Sequence, residues 1–378
     1  MAKQQFQLYA ATASGLEALA GQELRDLGYK VRVDNGRIYF EGDMTDILRA
    51  NIWLRSADRI KIILKTFKAT TFDDIFDTVT AMDWDQLLPM DAKFPVNGRS
   101  KNSKLFSVPD IQAVTKKAIV NQMAGAYHRK SRFPETGALF SLEIALNKDE
   151  ATLTLDTTGD SLFKRGYRQE KGEAPLKENF AAALIMLTNW HTDMPFVDPM
   201  CGSGTLPIEA ALMARNIAPG INRHFSCENW HPDNLKASNE LKEEAKTKQN
   251  DDVVDITGCD IDGSMIDIAK LNANGAGVLH DITFKQVAVK DFKTDKEDGV
   301  IIVNPPYGKR MGDQKSVRKL YEQMGHVFKP LTTWSKYILT ADLEFETFYG
   351  QKATKRRKLY NGALRTDYFQ FWASHRKN

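Results

Sequence analysis

Cysteine is scarce in this chain, with three residues in 378, at positions 201, 227 and 259. An odd number at such wide spacings argues against a disulfide framework and fits a reducing compartment. No apolar run reaches the roughly eighteen residues a membrane span needs, and Met1-Ala-Lys-Gln-Gln5 leads into nothing like a signal peptide. A cytoplasmic protein with no membrane partner is therefore expected. Two nucleotide signatures are missing as well: there is no Gly-x4-Gly-Lys-Ser/Thr phosphate loop, and no third glycine in the dinucleotide-binding spacing. Histidine is sparse and forms no triad-like grouping. His224, Cys227 and His231 lie close together but lack a fourth ligand for a closed zinc site, so no metal is expected.

Net charge is small, at +3, but it is unevenly placed. Between Ala92 and Pro134 stand Lys93, Arg99, Lys101, Lys104, Lys116, Lys117, Arg129, Lys130 and Arg132 against the single acid Asp110. From Lys352 to Asn378 there are eight cations against Asp367. Segregation of this kind points to a polyanionic partner, because each neutralised phosphate releases condensed counterions. A solvated lysine-rich face is the alternative.

The first seventy or so residues predict strand, helix, strand, strand, helix, strand, with Asp34-Asn35-Gly36 as a hairpin turn, which is the ferredoxin-like pattern. A second mixed unit follows, with a helix near Phe72 to Trp84, a strand at Phe94, a basic helix over 110–125, and a hairpin from Leu139–Leu146 to Ala151–Asp156. From about Leu176, apolar strands at 195–198, 255–260, 282–287, 299–303 and 336–340 alternate with helices. That alternation implies a parallel sheet covered on both faces, with ligands beyond the carboxyl ends of its strands. The Asn216 to Asp252 stretch, rich in Lys and Glu, is expected to be a polar excursion with one exposed helix. Expected domains span 1–68, 69–160 and 161–378.

Two motifs fall at strand ends. In Asp198-Pro-Met-Cys-Gly-Ser-Gly-Thr205, Gly202 and Gly204 allow backbone to approach a ligand closely, with free amides expected to make the turn electropositive. The acid Asp198 beside it suits a cationic or amino-acid-bearing nucleotide better than a pyrophosphate. Asp260, ending the next strand, is placed to accept hydrogen bonds from ribose hydroxyls, although it lies far beyond the usual spacing of about twenty residues unless the polar excursion is an insertion. The second motif is Asn304-Pro-Pro-Tyr-Gly308. The nitrogen of an exocyclic base amine is a poor nucleophile, because its lone pair is conjugated with the ring. The Asn304 side-chain oxygen and the Pro305 carbonyl can each accept one amine hydrogen, Pro305 and Pro306 stiffen the turn, and Tyr307 offers a stacking face worth about 1–3 kcal/mol.

These motifs, together with Asp260, Arg165-Gly-Tyr-Arg168, Ala174-Pro-Leu-Lys-Glu178 and Leu359-Tyr-Asn-Gly362, resemble the bacterial THUMP-domain, S-adenosylmethionine-dependent RNA guanine-N2 methyltransferases. The resemblance implies an α/β architecture, with a class I Rossmann-like methyltransferase sheet preceded by a ferredoxin-like unit and an α+β THUMP module. It implies adenosylmethionine at Asp198, Cys201, Gly202, Gly204, Asp260 and Asn304, and methyl transfer at Asn304, Pro305, Pro306 and Tyr307. It further implies large-subunit ribosomal RNA as partner, held by Arg99, Lys101, Lys104, Lys116, Lys117, Arg129, Lys130 and Arg132. Where many such enzymes carry an acid after the third strand this chain has Ala288, which leaves backbone or Asp291 to meet the adenine. The Asn-Pro-Pro-Tyr motif alone serves the N6 amine of adenine in DNA equally well, and a non-catalytic RNA-binding assembly factor could retain the fold. Oligomeric state is left open.

Overall fold

The computed structural model describes residues 4–130, 132–168, 176–306, 314–362 and 364–374. The chain opens with β1 (Phe6–Thr12), α1 (Glu17–Asp26), β2 (Arg32–Asp34), β3 (Arg37–Gly42), α2 (Met44–Trp53) and β4 (Ala57–Lys68), in the order read from the sequence. Asn35 and Gly36 form the two-residue turn that pairs Asp34 with Arg37, and Gly36 takes the positive φ of +68° that such a turn demands. Asp43 and Asp46 make a reciprocal capping box that starts α2. Next come α3 (Phe72–Thr80), α4 (Trp84–Leu87), β5 (Val96–Lys101), α5 (Val108–Ala126), β6 (Leu142–Asn147) and β7 (Glu150–Asp156). The strand expected at Phe94 begins two residues later, and Phe94 itself is buried in the core.

The two N-terminal units share one seven-stranded sheet, in the order β2-β3-β1-β4-β7-β6-β5. Twelve-residue β4 joins them by pairing antiparallel with β1 on one side and β7 on the other.

The rest of the chain supplies α6 (Glu178–Met186), β8 (Phe196–Asp198), α7 (Thr205–Ala214), α8 (Pro232–Thr247), β9 (Ile256–Asp260), α9 (Gly263–Gly275), β10 (Ile282–Gln286), β11 (Val300–Val303), α10 (Gln314–Phe328), β12 (Ser335–Thr340), α11 (Phe345–Tyr349), β13 (Lys355–Asn361) and β14 (Leu364–Phe371). Their strands form a second seven-stranded sheet, β10-β9-β8-β11-β12-β14-β13. The first five are parallel, β14 pairs antiparallel with β12, and β13 pairs antiparallel with β14 at the edge. The hairpin of β13 and β14 was not foreseen. Lys355-Arg-Arg-Lys358 reads as a charged loop, yet charge is what a solvent-facing edge strand tolerates.

The polar excursion is not a solvated appendage. Its Ala218, Phe225, Cys227, Leu241 and Ala245 join the core of the N-terminal sheet, and α8 packs on α2. Gly220 donates to the Ile52 carbonyl at 2.9 Å, Cys227 to that of Thr157 at 3.0 Å, and Trp230 stacks on Phe140 at 4.9 Å. Leu241 and Ala245, one turn apart, make the buried stripe among the charges. The excursion thus clamps the second sheet to the first. No described helix is long and apolar enough to cross a membrane.

Candidate active site

Asp198 and Asn304 lie at the carboxyl ends of neighbouring strands. β8 and β11 pair in parallel, with Ile301 opposite Val197, so Asp198 closes its strand level with Ile302 and Asn304 follows just past the end of β11. On the other side β9 pairs Gly258 with Asp198 and carries Asp260 two residues further. The long spacing from Gly204 to Asp260 is therefore taken up by the inserted clamp, and the third dimension restores the juxtaposition.

Asp198 turns back on its own strand end, accepting the Met200 amide at 3.1 Å. The Cys201 amide donates to the Cys259 carbonyl at 2.7 Å, that of Gly202 to Asp260 Oδ2 at 2.9 Å, and that of Gly204 to the Cys201 carbonyl at 2.9 Å. The expectation of free amides is thus corrected, because all four are taken within the turn or by β9. What surrounds the turn is acidic. Burial, with Asp260 beside it, pushes the Asp198 carboxyl well above its ordinary range. The same burial and the same two acids push the Cys201 thiol up, so it is no nucleophile at neutral pH. Buried Asp198 and half-buried Asp260 side by side suit a positively charged ligand better than a phosphate.

The glycines act differently from one another. Gly204 has φ +83° at the start of α7, and a Cβ there would meet the Ala269 Cβ at 2.9 Å. Gly202 has φ +50° with open space around its missing Cβ. The first packs helix against helix; the second keeps room beside the strand ends.

Asn304 provides the sharpest feature. Its Oδ1 is buried and has no hydrogen-bond partner among the described residues. An unmade bond to a buried acceptor costs about 1–3 kcal/mol, which a structure does not ordinarily leave standing outside a site of use. Pro305 and Pro306 follow it, and Tyr307 lies outside the described residues.

One residue was given no role from the sequence, where it stood only within Arg165-Gly-Tyr-Arg168. Arg168 donates to Glu178 Oε1 (2.9 Å), Ser203 Oγ (3.0 Å), Thr205 Oγ1 (3.0 Å) and the Leu176 carbonyl (3.2 Å). It grips the glycine turn from behind, while Asn272 Nδ2 holds the Ser203 carbonyl at 3.0 Å. The readable signal was Glu178, an acid opening an otherwise apolar, buried helix, which requires a cation.

The basic residues divide. Arg99 and Lys101 stand exposed on β5, Arg99 reaching Glu143 at 3.0 Å, and Lys104, Lys130 and Arg132 are also exposed. Lys116 pairs with Glu135 at 2.8 Å over the Phe94 ring, Lys117 lies above Phe76, and Arg129 holds the Arg132 carbonyl at 3.1 Å. These last three take part in local packing. In the C-terminal basic run Arg356 pairs with Asp367 at 2.6 Å, while Arg376 and Lys377 lie outside the described residues. His224 binds Glu228 and His231 caps α8, so the His224, Cys227, His231 group does not converge; no cluster of three metal-ligating residues exists among the described residues. Asp291 is exposed in the turn after β10 and Ala288 precedes it.

Comparison with known proteins adds three family matches: an RMKL-like methyltransferase domain over residues 165–370, an RlmL ferredoxin-like domain over 7–61 and a THUMP domain over 69–156. The Bacillus subtilis protein named "Putative RNA methyltransferase YpsC" is 50% identical over 97% of this chain and 96% of its own length. Among solved structures, SMU.472, described as "a putative methyltransferase complexed with SAH", is 49% identical with a TM-score of 0.94, covering 99% of this chain and 100% of that one. A Listeria monocytogenes protein described as a "predicted N6-adenine-specific DNA methylase" is 53% identical with a TM-score of 0.93, covering 98% and 97%.

Proposed function

The chain belongs to the THUMP-bearing, RMKL-like methyltransferase family, and from that premise we propose that it methylates an exocyclic amine of an RNA base, guanine N2 of large-subunit ribosomal RNA, in the cytoplasm. S-adenosylmethionine is the donor and supplies a methyl group carried on positively charged sulfur. The acidic turn fits it: Asp198 and Asp260 are the residues to hold its ammonium and its ribose hydroxyls, and Gly202 leaves space beside them.

The observation that carries the reading is the unpartnered Asn304 Oδ1 at the mouth between β8 and β11. There it accepts one amine hydrogen and the Pro305 carbonyl the other, which orients the nitrogen lone pair and stabilises positive charge as it develops. The consecutive prolines hold both acceptors without rearrangement. Stacking on Tyr307, inferred from the sequence alone, offsets part of the few kcal/mol needed to unstack the base. Exposed Arg99 and Lys101 on the N-terminal sheet support capture of the RNA through its phosphates.

The same acceptor pair serves the N6 amine of adenine, the base named for the Listeria relative. A single experiment separates the two. Purified protein is incubated with methyl-labelled donor and either ribosomal RNA from cells lacking the gene or duplex DNA, and the labelled nucleoside is identified after digestion. N2-methylguanosine from RNA is expected, with Asn304→Ala lowering the rate by about 10²–10³-fold while RNA still binds. Label in DNA, label in N6-methyladenosine, or no label overturns the proposal.

A further inference from the structure

Behind the glycine turn lies a cavity of about 660 Å³, walled by the chain leaving β7 (Asp160, Phe163, Lys164), by Arg168 and Lys177 at the approach to α6, and by Arg223 of the inserted clamp. Its volume falls within the roughly 300–1,000 Å³ of small-ligand pockets. Two of its cations are matched, Lys164 to Asp160 at 2.8 Å and Arg168 to Glu178 at 2.9 Å. Two are not. Lys177 is exposed, lies 4.9 Å from the centre of the Phe163 ring and has no carboxylate partner among the described residues. Arg223 is 7% exposed and donates to the backbone carbonyls of Ser161 and Asp160, which leaves its Nε buried without a partner. Burial, then the like charge of Arg165, brings the Arg223 pKa down to about 10. A buried guanidinium hydrogen-bonded only to carbonyls and only partly balanced by the charges of Asp160 and Glu228, an ammonium with no carboxylate partner among the described residues, and a half-buried aromatic face around one hollow make the chemistry that recognises a phosphate with a base attached.

We propose that this cavity is a subsite for a phosphodiester-linked nucleotide of the RNA strand that adjoins the methylated base, with the phosphate between Lys177 and Arg223 and the base against Phe163. The inference rests on the proposed RNA methylation, and it adds a contact outside the strand-end mouth. Arg168 forms the partition, touching the cavity on one side and Ser203 and Thr205 of the glycine turn on the other. A strand threaded here passes directly behind the turn that holds the donor, so one nucleotide is fixed while its neighbour is free to unstack.

The test uses the full chain saturated with SAH and a short fluorescein-labelled single-stranded RNA of mixed sequence, read by anisotropy across a salt series. Phe163→Leu is expected to weaken binding roughly tenfold. Lys177→Ala is expected to lower the slope of log affinity against log salt by about 0.7, one phosphate's worth, with Lys177→Arg restoring it and SAH affinity unchanged in all three. Inorganic phosphate at matched ionic strength competes with the RNA only weakly if a strand is the occupant. Unchanged RNA affinity and slope in both Phe163→Leu and Lys177→Ala overturn the subsite. Strong competition by phosphate with no effect of Phe163→Leu also overturns it, because the hollow is then a site for a free anion. Loss of SAH affinity alongside RNA affinity overturns it too, since the defect is then in the turn. Because binding is read without methylation, a wild-type protein that binds this RNA through the cavity yet labels no RNA defeats the methylation reading alone.

Discussion

Replacing Asp198 by asparagine separates two properties that usually fall together. The carboxyl is buried at the end of β8 with Asp260 beside it, and both effects raise its pKa well above the ordinary 3.8. The unfolded chain ionises it near that ordinary value, so the folded protein without ligand holds the proton more tightly than the unfolded one. The resulting penalty on folding is absent below about pH 4, grows by about 1.4 kcal/mol per pH unit between the two pKa values, and is constant above the raised one. Asparagine has no charge to bury and keeps an oxygen for the Met200 amide, 3.1 Å away in the wild type. Near neutral pH the ligand-free variant is expected to melt above the wild type, by about 2–4 °C for each kcal/mol recovered, and the gap closes near pH 4. SAH binding moves the other way. Removing one charge of a buried pair costs about 2–5 kcal/mol, so the variant is expected to bind roughly 30-fold to 5,000-fold more weakly. Wild-type affinity rises with pH through the same window, since the ligand's ammonium favours the ionised carboxylate. Scanning fluorimetry and calorimetry across pH read both effects. A ligand-free variant that melts below the wild type near neutrality, or one that binds SAH within about tenfold of it, refutes the reasoning.

The glycines should differ under the same assays. Gly204→Ala combines a left-handed backbone with a 2.9 Å clash against Ala269 and is expected to cost about 2–4 kcal/mol, whereas Gly202→Ala, with open space, costs about 1–2 kcal/mol; equal losses in urea unfolding would count against the packing role of Gly204. Arg168→Lys keeps a charge for Glu178 but cannot span Ser203, Thr205 and Leu176 together; SAH affinity is expected to fall about tenfold with two hydrogen bonds lost, and unchanged affinity would free the turn from its grip. Arg99→Ala with Lys101→Ala should reduce the salt slope of RNA binding by about 0.7–0.9 per phosphate contact, while Lys116→Ala, which breaks the Glu135 pair over Phe94, should lower the melting temperature and leave the slope alone. An altered slope in Lys116→Ala places that lysine on the RNA after all.

Much of this arrangement was legible because local signals and tertiary demands agree. Period-two and helical patterns and the Asn35-Gly36 turn gave the first six elements within a few residues, and the two strand-end motifs do meet at adjacent strands. The inserted clamp was misread because its buried stripe is carried by few residues, Leu241 and Ala245 on α8 with Phe225 and Cys227 before it, diluted among charges. The closing hairpin was missed because an edge strand can afford the arginines and lysines that make β13 look like a loop. The free amides expected at the glycine turn depended on contacts with β9 that no linear reading contains, since the Cys259 carbonyl and Asp260 come from beyond the insertion.

The same logic explains why a lone acid in an apolar helix is informative. Glu209 in Thr205-Leu-Pro-Ile-Glu-Ala-Ala-Leu-Met-Ala214 is fully buried, yet it sits between Tyr167 Oη at 3.1 Å and the Arg165 guanidinium at 3.4 Å. Arg165 also donates to the Arg55 carbonyl at 2.6 Å, Arg55 donates to the Ile217 carbonyl at 2.7 Å, and the Arg55 and Ser56 amides close on Glu23. This chain of buried polar groups runs from α1 and the start of β4 to α7, whose first residue follows Gly204. Sliding the N-terminal sheet against the second would break the Arg165–Arg55 and Arg55–Ile217 hydrogen bonds and leave buried guanidinium hydrogens unpaired, at a cost of about 1–3 kcal/mol each. Hydrophobic contacts alone would tolerate such a slip far more cheaply, because they are non-directional. The polar seam therefore fixes the distance between Arg99 and Lys101 on the first sheet and the strand-end mouth of the second, and the proposed methylation of a base in a captured RNA requires that distance to be constant.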